Sequence, residues 1–381
     1  MDIIIGGDLV PTDSNALLFS NGEVVDLIGA DLFKLLDNCD FSIFNLEVPF
    51  TDAIEPIKKC GPNLVAKTSA FNGIKGINPR FLNLANNHIM DQGAQGLFTT
   101  IDLLDQNGIA YAGAGKNIKE VRKFYINEKE GKKIGIYCCA EHEFSIATET
   151  MPGANPFDPF ESLDHISKLK KECDYLITLY HGGKEHYRYP SPYLQKVCRK
   201  IIDKGADLVV CQHSHCIGCK EEWGNGTIVY GQGNFLFDHS KSEYWQTGLL
   251  IKITLDQTPK IDYIPIRKHS DRVRIAEKED AEEILNRFEY RSQEILIDGF
   301  IEKKYKEFSR KMIYIYYNAF GGAITHSIFY RILNKISGHT FQRLLIKVLY
   351  RENNILALRN FIECEAHREL LLKGLENEIK K

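Results

Sequence analysis

With 381 residues, 44% hydrophobic and 26% charged, the chain can fill one large core or two smaller ones, which excludes a disordered chain and a disulfide-stapled miniprotein. Its 48 Lys+Arg against 51 Asp+Glu leave a formal charge of −3, which supplies no global field for holding nucleic acid or an anionic membrane. Any anion it binds must be gripped locally.

Met1-Asp2-Ile3-Ile4-Ile5-Gly6-Gly7-Asp8 lacks the basic start and long apolar stretch of a secretory signal, and no apolar run reaches spanning length. No export or transmembrane segment is therefore expected, and a cytoplasmic address is the default. Up to about residue 268 short apolar runs alternate with amphipathic stretches, the α/β pattern. Strands are predicted over residues 3–5, 41–46, 81–84, 134–138, 175–179, 208–211 and 228–230, all rich in β-branched or aromatic residues. Helices are predicted over 24–38, 96–106, 161–172 and 192–204, where apolar residues recur at three- and four-residue spacing, as Leu97, Ile101 and Leu104 do. Two more strands follow at 247–255 and 261–266, and then the composition shifts to charged, Leu/Ile-punctuated sequence. An α/β domain over residues 1–268 and a helical C-terminal region over 269–381 are thus expected, with helices within 279–307 and 340–378. The cluster Ile313-Tyr314-Ile315-Tyr316-Tyr317 between them reads as a helix core, with a docking face for a protein partner as the sharper alternative. Lys303-Lys304 and Arg310-Lys311 stand among Asp298, Glu302 and Glu307 and read as a solvated helix face, so no nucleic-acid partner is expected.

The ten cysteines include the adjacent pair Cys138 and Cys139 and several inside predicted strands, a distribution that suits buried reduced thiols. Cys211-x4-Cys216-x2-Cys219 has the spacing of three ligands in a plant-type iron–sulfur loop, but the next cysteine is Cys364 in a helical region.

Side chains of the metal-ligand kind recur just after strands: Asp8, Glu47, Asn87-His88, His181 and His213-Ser214-His215. Singly, each has an ordinary structural explanation as a cap, a turn residue or a solvated loop carboxylate. Together they deliver an Asp, Glu, Asn or His from five separate strand ends, where the loops of α/β sheets converge. Carboxylate, amide and imidazole donors suit divalent ions such as Mn, Zn, Fe or Mg, and identity among these is not set by the ligands alone. Two such ions about 3.5–4 Å apart can clamp the attacking and leaving oxygens of an in-line displacement at phosphorus, so hydrolysis is the natural chemistry.

The ordered set Gly7-Asp8, Asn45-Leu46-Glu47, Leu84-Ala85-Asn86-Asn87-His88 with Asp91 and Gly93, His181-Gly182-Gly183-Lys184-Glu185, Gly205-Ala206-Asp207, His213-Ser214-His215 and Val229-Tyr230-Gly231-Gln232-Gly233-Asn234-Phe235 resembles the bacterial capsule-synthesis CapA family. That family of poly-γ-glutamate synthesis proteins belongs to the calcineurin-like metallophosphoesterase superfamily, and the resemblance covers about residues 3–240. It implies a four-layer sandwich of two mixed β-sheets inside helical layers. It further implies one or two divalent ions, one held by Asp8 and His215 and the other by Asn87, His181 and His213, with Glu47 bridging. His88 takes the role of catalytic acid, and Glu185 that of an extra ligand or an orienting partner of His181. The sequence departs from the superfamily at Val10, where a histidine is usual, and at Glu47, where the bridge is usually aspartate.

Two functions follow. The first is a hydrolase in which a metal-activated hydroxide attacks a phosphoester or γ-glutamyl linkage of an anionic capsule or cell-envelope polymer or its precursor. The other is a non-catalytic metal-binding subunit of a polysaccharide or poly-γ-glutamate synthesis or export complex, docked through the C-terminal helices.

Overall fold

The computed structural model describes residues 1–322, 325, 327–338 and 340–379. It divides into two compact units, Met1–Glu302 and Lys303–Lys381. In chain order the strands are β1 Asp2–Val10, β2 Phe41–Leu46, β3 Phe81–Asn83, β4 Ala110–Ala112, β5 Ala114–Gly115, β6 Tyr125–Lys129, β7 Lys132–Ala140 and β8 Gly153–Ala154. They continue as β9 Tyr175–His181, β10 Leu208–Gln212, β11 Lys220–Trp223, β12 Gly226–Val229, β13 Asn234–Phe237, β14 Thr247–Thr254, β15 Lys260–His269 and β16 Arg272–Ile275.

Strands β5 and β8 pair by themselves; of the two large sheets, one runs in the order β16-β15-β14-β1-β2-β3-β4, with β13 also paired to β1, and the other in the order β11-β12-β10-β9-β7-β6. Both are mixed: β1, β2, β3 and β4 are mutually parallel while β14 joins β1 antiparallel, and β7, β9, β10 and β12 are parallel between antiparallel edge strands. Strand alternation then assigns the layers. Ile3, Ile5, Ile43 and Ile251 of the first sheet meet Ile134, Ile136, Ile177 and Val210 of the second in a shared central core. The opposite faces, through Ile4, Phe44 and Leu82 on one side and Tyr137, Leu176 and Val209 on the other, bury helices such as Gly93–Gln106 and Pro192–Asp203. The expected four-layer α/β sandwich of two mixed sheets is the observed architecture of the first unit.

Every predicted strand is present. The helix predicted over 24–38 is two, Val24–Ile28 and Ala30–Asp37, because Gly29 sits between them at φ 81°, outside helical backbone. The stretch predicted over 279–307 likewise divides into Lys278–Glu294 and Phe300–Phe320 around Gly299 at φ 72°.

The compact units part at Glu302, beyond the compositional change at residue 268. Helix Lys278–Glu294 looks C-terminal by its charge, but it buries Ile284 and Phe288 against the sheets, with the Phe288 ring 4.9 Å from Tyr263. Its Arg291 Nε donates to the Gly218 carbonyl at 2.7 Å. One buried face is sufficient to attach a helix whose other faces stay charged.

The second unit holds the helices Ile328–Ile336, Thr340–Leu349, Glu352–Glu363 and Glu365–Ile379, together with most of Phe300–Phe320. The reading of 313–317 as a helix core is not met: Ile313, Tyr314, Ile315 and Tyr316 are all exposed, while Tyr317 stacks on Tyr350 at 4.5 Å.

Candidate metal centre

Both sheets aim their parallel strand ends at one place. Asp8 comes from β1, just past an irregularity in the β1–β2 pairing at Gly6-Gly7, and stands in register with Asn45 of β2 and Asn234 of β13. A side chain at Gly7 would put its Cβ 2.0 Å from the Gly233 carbonyl oxygen, so glycine is what lets β13 approach β1 there. Glu47 follows β2 directly, and Asn87-His88 lie in the turn after β3. From the second sheet, His181 ends β9, while His213 and His215 follow β10 with positive φ of 93° and 52°. Such backbone is uncommon outside glycine and persists where surrounding structure enforces it.

The donor atoms fall into two groups that share one residue. Glu47, His181 and His213 offer ligand atoms within 4.8 Å of one another, and so do Asp8, Glu47 and His215; all five residues are buried. In the first group Glu47 Oε1 is 3.4 Å from His181 Nε2, which is 3.2 Å from His213 Nδ1 and 3.0 Å from Asn87 Oδ1. In the second, Asp8 Oδ2 is 3.4 Å from His215 Nδ1.

Both carboxylate oxygens of Glu47 are buried without a hydrogen-bond partner. A carboxylate so placed is costly unless a cation or a proton compensates it. Burial, reinforced by the Asp8 charge, pushes its pKa up to about 8. Burial acts on Asp8 in the same sense, but the hydrogen bond and charge of His215 outweigh it and hold Asp8 below the usual carboxylate value. Burial lowers His181 to about 4 and takes His213 well below the ordinary imidazole value, so both present lone pairs at neutral pH. Burial opposes charge on His215 too, yet the hydrogen bond to Asp8 and the Glu47 charge raise it to about 9. The donor set fits one or two divalent cations, with Glu47 common to both positions.

Six predicted ligands therefore meet, and His88 lies beside them in neither group. Its Nδ1 is 2.5 Å from Asp91 Oδ2, and Asp91 also accepts from the Leu64 N–H at 2.6 Å and pairs with the buried Lys59 ammonium. Glu185 is exposed and belongs to neither donor group. Against burial, the charges of His213 and His215 nevertheless act on Glu185 and hold its carboxyl below the usual value; a second carboxylate, Glu143, accepts from Asn87 Nδ2 at 3.2 Å and stands 3.9 Å from His213 Nε2.

Sequence reasoning passed over several other neighbours. Asn45 Nδ2 donates to Asp8 Oδ1 at 2.8 Å and lies 3.3 Å from His181 Nδ1, Asn234 Oδ1 is 2.9 Å from His215 Nδ1, and Trp245 stacks on His215 at 4.3 Å. Asn45 and Asn234 stood inside the motifs already noticed; nothing in the sequence marks Trp245. All ten cysteines are free, and none joins a donor group among the described residues.

A family model described as bacterial capsule synthesis protein PGA_cap matches residues 2–239. The chain belongs to this family. Its relatives include the capsule biosynthesis protein CapA of Bacillus anthracis, 30% identical over 259 residues, which are 64% of this chain and 63% of that one. The PGA biosynthesis protein CapA of Bacillus subtilis (strain 168) is 28% identical over 201 residues, 51% of this chain and 53% of that one. The chain thus spans between half and two thirds of the length of these family members. Among solved structures, a novel phosphatase from Mycoplasma pneumoniae is similar with TM-score 0.42 and 13% identity, covering 72% of this chain and 90% of its own. A 5'-nucleotidase precursor from Thermus thermophilus is similar with TM-score 0.41 and 14% identity, covering 76% and 58%. The matched family segment contains every residue of both donor groups.

Proposed function

We propose that the first unit is a metal-dependent hydrolase that cleaves a phosphoester or γ-glutamyl linkage in capsule or cell-envelope polymer metabolism. One observation carries the reading: a buried carboxylate, Glu47, has no hydrogen-bond partner among the described residues and is shared by two donor groups, each built from both sheets. Metal-assisted hydrolysis is the chemistry such an arrangement serves, and the capsule and PGA roles named for the two Bacillus relatives point to the substrate class.

When bound, divalent ions supply Lewis-acid polarisation and ready deprotonation of water. Asn87, Glu47, His181 and His213 would hold one ion, and Asp8, Glu47 and His215 another. The rest falls to the chain's own side chains. Asp91 holds His88 through Nδ1, which leaves Nε2 as the nitrogen that protonates a leaving group. Lys59 and the Leu64 N–H hold Asp91 in turn, so the ring is oriented before substrate arrives.

A second reading has its own support. Val10 stands where the superfamily pattern has a histidine, and it is buried in the core, so the Asp8 group contains one imidazole only. That suits a non-catalytic metal-binding subunit of a polymer synthesis or export complex. The two separate in one experiment. Metal-loaded protein, with Mn or Zn, is assayed on a panel of phosphoesters and on poly-γ-glutamate; turnover is expected, and His88→Ala is expected to lower it by about 100-fold or more with metal content intact. A metal-loaded wild type inactive on both classes would remove the hydrolase reading and leave the subunit.

A further inference from the structure

The near-neutral charge of the whole chain conceals a division. Residues 303–381 carry 15 Lys+Arg against 7 Glu, which leaves 33 Lys+Arg against 44 Asp+Glu for the first 302. The excess is concentrated at the start of the second unit, where residues 303–351 hold ten Lys+Arg and a single acid, Glu307. Helices Ile328–Ile336 and Thr340–Leu349 carry four of these cations and no acid.

Apolar side chains accompany these charges on the outside. Helices Ile328–Ile336 and Thr340–Leu349 meet along a seam that buries Tyr330, Gln342 and Ile346, with the Asn334 side chain bonded to both the N–H and the side chain of Gln342. The seam is thus partly polar. Away from it, Phe329 is 70% exposed, Ile332 51% and Ile336 79%, and on the next helix Leu344 is 59% and Val348 62%. Beside each apolar row runs a basic one at the same i, i+4 spacing, Arg331 and Lys335 on the first helix and Arg343 and Lys347 on the second. Among the described residues these four make no salt bridge.

We infer that this helix pair is a docking surface for an anionic lipid bilayer, lying in the headgroup region with its apolar rows inserted and its basic rows on lipid phosphates. Rows of exposed Ile, Phe, Leu and Val suit an apolar environment, and paired cationic rows an anionic one; the surface of an anionic membrane supplies both. Nucleic acid offers no apolar layer. Long Lys and Arg stems reach headgroups from helices sunk at that depth. Among the described residues no helix is long and apolar enough to cross a membrane, and the nine residues of Ile328–Ile336 span about 14 Å, half a hydrocarbon core, so the contact is interfacial.

The test is co-sedimentation of the full chain with vesicles of phosphatidylcholine alone and of equal parts phosphatidylcholine and phosphatidylglycerol. Binding is expected to the second and not the first, and to weaken as salt shortens the Debye length from about 10 Å at 0.1 M to about 3 Å at 1 M. Arg331→Gln/Lys335→Gln/Arg343→Gln/Lys347→Gln removes four charges worth about fivefold each, so binding is expected to fall several-hundred-fold. Ile332→Ser/Ile336→Ser withdraws two inserted side chains, each worth about tenfold or more, for a loss of about 100-fold. Circular dichroism and metal content, unchanged in both variants, exclude misfolding as the cause. The inference is overturned if the full chain binds neither vesicle or both equally. It is also overturned if the charge variant loses binding while the serine variant keeps it, because the face is then a purely electrostatic surface for a nucleic acid or acidic protein.

Discussion

Replacing Glu47 by Gln keeps the side-chain volume and removes the ionisable group, so it separates the cost of a buried carboxyl from its use. In the metal-free protein Glu47 is buried without a hydrogen-bond partner among the described residues, with its pKa raised from 4.5 to about 8. The folded state therefore holds that proton more tightly than the unfolded chain does. Its contribution is neutral below pH 4.5 and becomes increasingly destabilising as pH rises towards 8. At pH 7 the penalty is about 3 kcal/mol, taking 1.36 kcal/mol for each pH unit above the unfolded pKa, and at pH 5 it is under about 1 kcal/mol. For a unit of about 300 residues, with an unfolding entropy of about 2.1 cal/mol/K per residue, the pH 7 figure corresponds to a rise of about 5 °C in Tm. Metal acts in the opposite direction: a divalent ion at about 100 times its Kd stabilises the wild type by about 2.7 kcal/mol, and the variant should gain little. Thermal melts of chelated and metal-loaded protein at the two pH values measure all four quantities. A chelated Glu47→Gln that melts below chelated wild type at pH 7, or a variant that keeps the full metal-induced rise, refutes the reasoning.

Asp91→Ala leaves the Lys59 ammonium buried without its counter-ion, and a loss of about 3–5 kcal/mol in denaturant unfolding is expected. Lys59→Met/Asp91→Leu, which removes both charges, should recover most of that loss, and equal instability of the two would exclude the ion pair as the cause. Gly7→Ala forces a Cβ towards the Gly233 carbonyl oxygen and should cost about 1–3 kcal/mol or more while weakening metal binding through the displaced Asp8. Unaltered Tm and unaltered metal content in this variant would show that β1 and β13 do not depend on the close approach.

The sequence by itself determined nine of the sixteen strands and the residue types that stand at their ends. Its apolar runs have the length and β-branched content of buried strands, and the ligand-type residues Asp8, Glu47, Asn87, His181, His213 and His215 follow those runs closely enough to be assigned to strand ends. Periodicity is a local property, so it marks where an element exists. It does not report what lies opposite, and for that reason Gly29 and Gly299 as breaks, the attachment of Lys278–Glu294 to the first unit, and the outward face of Ile313–Tyr316 came only from the folded chain.

Tertiary structure alone decided which of these side chains come together into donor groups. His181 and Glu47 are far apart in sequence and belong to different sheets, and their 3.4 Å separation follows from how those sheets face each other across the central core. The same packing sets Glu143 against Asn87 and His213, leaves Glu185 outside both donor groups, and leaves Glu47 without a hydrogen-bond donor among the described residues. A carboxylate's pKa depends on its solvent and its neighbours, which packing creates and the order of residues does not contain.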